Sequence, residues 1–484
     1  MIEALAALCL FLVFVGTIPT LGSLGQFLLV GWHGIRNHYA HCVDFTPRVA
    51  FILPAWNEGA VIGTTIDELM RLDYPAGAWR IYIVDDASTD ETPAVMREKM
   101  AQYPGSVFHL RRDAGGQGKS HTLNHGLATV LADDWAEAVM IMDADVLFEP
   151  LTLRRMTRHL ADPAVGAVTA YVKEGSYPGN LITRFIGFEY ITGQAAARRA
   201  QNVLGALACM AGGAQIHTRT NIEALGGKID TQSLAEDTFT TFNTQLGGRQ
   251  TLFDGNAVVW AEEPDSLGMF WKQRLRWARG NLQISRAFTD LWFRPSRHPK
   301  LGGFAFGLLW FSIVLMPLCL ILSAVGAIGL YFTHPQWAWL GFSGLWGVNL
   351  AVYLFMTLFA LAIDPQMARR TWREAFLFPG LISLLIMSLF ILPPQTGAQH
   401  WLAASPVATL FILSWVGLSI PAAWLVYRME RLGAPNWLRD VLLVLVGYGP
   451  LMSAVSFAAI VAEWRHADTR WDKTVKTGKA RMAR

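Results

Sequence analysis

The sequence predicts two parts: an α/β domain built on a Rossmann-type, mostly parallel sheet, and an α-helical transmembrane bundle. Three observations carry this. Strand-like and helix-like segments alternate through residues 48–260, as in βαβ units. Long apolar runs with few charges fill residues 1–32 and 301–463, and each membrane span needs about 20 apolar residues. Of the 484 residues, 52% are hydrophobic and only 16% charged, which is too apolar for an ordinary soluble chain.

Composition also excludes some functions. Net charge is +3 and no arginine-rich stripe interleaves with aromatics, so nucleic acid is not expected as a partner. Cys9, Cys42, Cys209 and Cys319 form no CxxC or Cys/His pair. Neither a zinc site nor a disulfide framework is indicated, and they read as small buried hydrophobes.

The elements follow in chain order. The run from Ile2 to Trp32 has no basic leader and exceeds the roughly 7–15 residues of a signal core, so it reads as an uncleaved span. Arg36, His38, His41 and Arg48 make the following flank basic, which places the next domain in the cytosol. "RVAFILPA" is a strand and "VIGTTIDELMRL" a helix. "WRIYIVDDAS" is a strand ending in acids, and "ETPAVMREKMAQY" is a helix with Pro93 near its start. "SVFHLRRD" is a strand, "KSHTLNHGLATVLA" a helix, and "EAVMIMDADVLF" a strand. Ligands of such sheets bind beyond the strands' carboxyl ends, where the acidic pairs stand.

Candidate spans then cover 302–332, 338–363, 376–394, 404–427 and 438–463. Basic loops at "DPQMARRTWREA" and "YRMERLGAPNWLRD" suit the cytosol, and the uncharged "QTGAQHWLA" suits the far side. A full crossing by 438–463 would put the basic tail outside. Gly447, Gly449 and Pro450 interrupt that run, so a broken, re-entrant or interfacial segment is expected.

Four motifs carry chemistry. Asp85-Asp86 closes a strand, although aspartate there is commonly a turn or cap residue. Asp143-Ala144-Asp145 follows a buried strand. Where the backbone turns, its two carboxylates can converge on Mg²⁺ or Mn²⁺, which prefer carboxylates, waters and substrate phosphates. Glu236-Asp237 opens a helix, where the dipole favours acids regardless of function. Its chemical reading is a general base that takes an acceptor hydroxyl proton. Gln273-Arg274-Leu275-Arg276-Trp277 lies in a basic, aromatic-rich stretch, which also suits a helix on the inner membrane surface. Arg276 can fork onto a diphosphate, Trp277 can underlie a sugar ring, and Gln273 can fix a hydroxyl.

In this order the motifs resemble the processive branch of glycosyltransferase family 2, which includes the cellulose, chitin, hyaluronan and poly-N-acetylglucosamine synthases. The resemblance spans residues 48–295 and the membrane layout around them. "PAWNE" is similar to the family's opening strand and loop, with Pro54, Asn57 and Glu58 matched at the donor side. "GKSHTLNHGL" resembles its GKxxALNxG helix start through Lys119 and Asn124, and "AEEP" at 261–264 its ExP stretch.

The resemblance implies a GT-A-like domain and a set of roles. Asp85 and Asp86 contact the nucleotide. Lys119 reaches the nucleotide or diphosphate. Asp143 lies near the diphosphate and, with Asp145, serves the metal. Asp237 is the base, supported by Glu236. Gln273, Arg276 and Trp277 shape the acceptor end. Gly212 and Gly213 let the terminal sugar approach. The chain has Ala211-Gly212-Gly213 where cellulose synthases carry Cys-Gly-Ser, which leaves the sugar open. The stretch after 463 is too short for a cyclic-dinucleotide-binding barrel. "DAGGQGKS" is no phosphate-binding P-loop, because Asp113 stands where its first glycine must be.

The implied layout is a span at 1–32, a catalytic domain at 45–260, amphipathic interface helices at 261–298, membrane or interfacial helices at 299–463, and a basic tail at 464–484. The implied function is inverting, metal-dependent transfer from a nucleotide-sugar, UDP-linked by family analogy, to a growing polysaccharide, coupled to translocation. The implied site is a bacterial inner membrane, with membrane lipid and further secretion-complex subunits as partners. Two alternatives stand beside it: single-sugar transfer to a lipid-linked acceptor, and an inactive receptor or transport component.

Overall fold

The computed structural model describes residues 2–36, 39, 42–231, 233–391, 405–467 and 476–482. The loop "QTGAQHWLA" lies outside the described residues. Two compact units divide the chain. One comprises Met1–Leu28, Asp265–Leu282 and Gly307–Asp468; the other comprises Leu29–Pro264, Gln283–Phe306 and Thr469–Arg484.

The second unit is the α/β part. Its strands are β1 (Val49–Ala55), β2 (Trp79–Asp85), β3 (Val107–Arg111), β4 (Ala138–Met142), β5 (Leu147–Phe148), β6 (Val165–Glu174), β7 (Ala214–Thr218) and β8 (Gln250–Ala261). Among the described residues they form one sheet in the order β3-β2-β1-β4-β7-β6-β8-β5. The first four strands are parallel. Both pairings of β7 are antiparallel, whereas β6 and β8 run parallel. The sheet is therefore mixed, with its parallel half on the amino-terminal side.

Local sequence explains that half. "VAFIL" and "AVMIM" are unbroken apolar runs, and β1 and β4 are buried along nearly their whole lengths, as helices on both faces require. Pro54 has no N–H to donate, and it falls after β1 has stopped pairing with β4 at Ile52. The helix Lys119–Ala132 packs Leu123 and Leu127 on Ile52 and Val84. Gly126 permits the close approach: a Cβ there would lie 2.7 Å from Ile52 Cγ2.

"EAVMIMDADVLF" is not one strand. β4 ends at Met142, the Asp-Ala-Asp triplet turns, and β5 pairs antiparallel with β8. Asp85 ends β2 and Asp143 follows β4, and β2-β1-β4 are adjacent and parallel. Both acidic motifs therefore occupy one carboxyl edge.

The first unit is helical. Four described helices are long and apolar enough to cross a membrane: Ile2–Arg36, Met316–Thr333, Pro335–Ile363 and Pro406–Arg431. Small residues bring two of them together. A Cβ on Gly326 would meet Cys9 O at 2.5 Å, and one on Gly16 would meet Ser323 Cβ at 2.3 Å, the close packing expected of helices in lipid.

One expected span divides, and another is broken as its glycines and proline suggest. The run 302–332 divides into Phe304–Val314 and Met316–Thr333, with Pro317 in the first turn of the second helix. The run 438–463 is a pair, Asn436–Val446 and Tyr448–Trp464, bent by 92°. Gly447 at φ 105° makes the corner, where its backbone abuts Gly380. A side chain at either glycine would overlap the other's backbone.

Candidate active site at the carboxyl edge of the sheet

At the end of β1 the chain turns through Asn57 in the left-handed region, φ 53°. Asn57 donates its N–H to Ser88 Oγ and accepts from Thr89 N–H, both at 2.9 Å. Glu58 donates its N–H to Thr92 Oγ1 at 2.8 Å. The loop after Pro54 is thereby tied to the loop after β2.

Asp85 is fully buried. It accepts Ser88 N–H at 2.8 Å and pairs with Arg111 Nη1 at 2.5 Å. Asp86, also buried, pairs with Arg112 through one oxygen and accepts Gly116 N–H at 2.9 Å through the other. Gly115 lies so close that a Cβ would meet Asp86 O at 2.2 Å. The glycine-rich stretch before Lys119 thus wraps Asp86, which explains its likeness to a phosphate loop without the required spacing.

Lys119 begins the next helix and sits among acids. Its ammonium is 2.5 Å from Asp143 Oδ1 and 3.7 Å from Glu236 Oε1, and donates to Gly212 O at 3.3 Å. Burial works against its charge, but Asp143 and Glu236 outweigh it and hold Lys119 above the ordinary lysine range. Asp237 Oδ2 accepts Gly212 N–H at 3.2 Å, and Oδ1 accepts Thr238 N–H at 2.7 Å. A Cβ on Gly212 would stand 3.2 Å from both Asp237 Oδ2 and Lys119 Nζ. Gly213 faces Val146 and Asp143. The structure thus gathers Lys119, Asp143, Gly212, Glu236 and Asp237 from four chain segments. Cys209 lies beside Asp237, and burial pushes its thiol up, which disfavours the thiolate.

Asp145 is buried, and Lys476 Nζ lies 2.7 Å from its Oδ2. This is an ion pair rather than an aligned hydrogen bond, for Oδ2 accepts none. Burial opposes the charge of Lys476 too, but Asp145 and Glu263 hold its pKa above the ordinary range.

No three His, Cys, Asp or Glu side chains converge on a metal position among the described residues. The residues nonetheless fit a hard divalent ion of the kind completed by substrate phosphates. Asp143 and Asp145 each hold an ammonium, and buried Asp145 Oδ2 is an acceptor without an aligned donor.

The Gln273–Trp277 motif belongs to the other unit, on the helix Leu267–Ala287. There Arg274 is buried, donates to Gln273 Oε1 at 3.0 Å, and lies 4.1 Å over the Trp277 ring. Arg276 and Trp277 are half-buried. Two residues after Trp277, Arg279 pairs with Glu463 at 2.7 Å.

Sequence reading missed Arg111 and Arg112, which hold the first acidic pair, and Lys476 and Thr477; it placed Glu262 in the "AEEP" stretch without seeing what it binds. The "RRD" at the end of β3 was a usable signal, because β3 pairs with β2 in register Asp85↔Arg111. Lys476 had none, because its partner lies in a motif far away in the chain.

Residues 47–280 match the family described as "Glycosyltransferase like family 2". The chain is 30% identical over 361 residues to the probable glycosyltransferase YdaM of Bacillus subtilis, covering 71% of this chain and 83% of that protein. It is 29% identical over 372 residues to the beta-monoglucosyldiacylglycerol synthase of Synechocystis, covering 75% and 71%. Its fold is similar to that of the mannosyltransferase PcManGT of Pyrobaculum calidifontis, solved with GDP-Man and Mn²⁺. That match has a TM-score of 0.52 and 23% identity, and covers 75% of this chain and 99% of that one.

Proposed function

We propose, from the premise that this chain belongs to glycosyltransferase family 2 and is a glycosyltransferase, that it extends a polysaccharide from a nucleotide-sugar with inversion at the anomeric carbon. The observation that carries this reading is the convergence of Asp143, Glu236 and Gly212 on Lys119, with Asp237 on the Gly212 amide.

The chemistry follows from these residues. Asp237 takes the acceptor hydroxyl proton as that oxygen attacks C1 and the C1–diphosphate bond breaks. Its two backbone hydrogen bonds aim the carboxylate. Lys119 neutralises charge gathering on the leaving diphosphate, and Glu236 keeps Lys119 in place. Asp85 and Asp86 shape the nucleotide end, with Pro54, Asn57 and Glu58 lining the adjoining loop. Gly212 and Gly213 leave room for the acceptor sugar. Mg²⁺ or Mn²⁺, held by Asp145 with Asp143, would add charge neutralisation at the diphosphate. Gln273, Arg276 and Trp277 serve the acceptor end. A uridine diphosphate donor, a cytosolic catalytic domain at a bacterial inner membrane, and passage of the polymer through the helical unit complete the proposal.

A second reading has one specific support. The Synechocystis relative is named for a glycolipid product, and a lipid-linked acceptor would use the same acids. Product length from purified protein, across a panel of donors, decides. Polymer supports the first reading; a single-sugar adduct on lipid replaces it.

A further inference from the structure

We propose that Lys476 is the resident counter-ion of Asp145, and that a divalent ion must displace its ammonium to bind. The C-terminal segment 476–482 and the metal then compete for one carboxylate. This rests on the reading of Asp145 as a metal ligand.

The segment is built into the catalytic unit. Thr477 donates its N–H and hydroxyl to Glu262 Oε1 at 3.0 and 2.7 Å, and Lys479 donates its N–H to Oε2 at 3.0 Å. Tyr177 N–H reaches Lys479 O at 2.9 Å and Arg481 N–H reaches Gly175 O at 2.8 Å, around an antiparallel Ser176↔Ala480 bridge. Gly478 turns the segment at φ 76°, where a Cβ would lie 3.0 Å from Ala60 O. Five atoms of backbone and side chain thus fix the strap, and none of these bonds is to Asp145. Lys476 alone crosses to it, anchored also on Glu262 O at 2.5 Å.

That arrangement suits exchange. Both members are nearly buried, with side chains 15% and 8% exposed. A Mg²⁺ ion would bind a carboxylate oxygen at about 2.0–2.1 Å. An ammonium 2.7 Å from the same oxygen would then face a like charge at close range. The lysine is a point charge on a flexible stem, so it can leave while the strap stays on Glu262. Docking holds the ammonium at high local concentration, and so lowers the affinity for the ion.

The test is Mn²⁺ binding to the full chain in detergent, without nucleotide, read by the electron paramagnetic resonance signal of free Mn²⁺. K476Q should bind Mn²⁺ roughly tenfold more tightly than the natural protein. K476R keeps the charge and should stay within about twofold. E262Q loosens the strap and should fall between them. Loss of the ion in D145N with unchanged affinity in K476Q overturns this inference alone. Retention of the ion in D145N overturns the metal reading and the inference together.

Discussion

Two pairs of acids stand on one sheet edge and are held by different chemistry. Asp85 and Asp86 are gripped by arginines and backbone amides. Asp143 and Asp145 face lysine ammoniums. A guanidinium fixes a carboxylate through a rigid fork, whereas an ammonium supplies charge with little direction. The first pair is therefore held as framework, and in the proposed reading it shapes the nucleotide end. The second, in the proposed reading, is a place where one cation gives way to another.

That contrast can be broken experimentally, and the largest effect is expected at the proposed base, Asp237. Asp237→Asn should lower transfer on the order of 10³-fold with nucleotide affinity kept, as read by equilibrium binding beside the rate. Substantial polymerisation by the variant would remove Asp237 from that role. Asp145→Asn should lower transfer at limiting Mn²⁺ on the order of 10²-fold with little loss of stability, because Asn keeps an oxygen that can accept from Lys476. Asp85→Ala should behave oppositely. It leaves the Arg111 guanidinium and the Ser88 amide without their buried acceptor, and should cost about 2 kcal/mol of stability in a denaturant titration. The Arg111 side chain is 47% exposed, which keeps that figure below the value for a wholly buried pair. Equal destabilisation by the two aspartate variants would end the distinction between framework and exchange. Smallest is Trp277→Ala, with elongation reduced about tenfold and donor hydrolysis less. Equal loss in both would count against acceptor stacking.

Much of the fold was legible because its signals are local. Unbroken apolar runs such as "AVMIM" announce buried parallel strands, and Gly447 marks the break in the last apolar run. The reversal of sheet direction at β7 was not legible, because pairing between β4 and β7 depends on residues far apart in sequence. The same limit applies to the site. Acids at strand ends could be read from spacing, but their cations could not. Lys119 was found because it opens a helix motif. Lys476 stands in a stretch of lysines that looks like a solvated tail, and only the fold shows Glu262 drawing it in. Asp85 and Asp86 looked like direct ligands, and the structure adds that Arg111 and Arg112 already engage them.

The central claim is that the acids around Lys119 transfer a sugar with a divalent ion at Asp145. Nucleotide release from a panel of nucleotide-sugars by the full chain, with Mn²⁺ or Mg²⁺ and then with a chelator, tests it most directly. The account predicts turnover of a preferred donor that the chelator stops and the ion restores. Turnover unchanged by the chelator, or none with any donor in either metal, would contradict it.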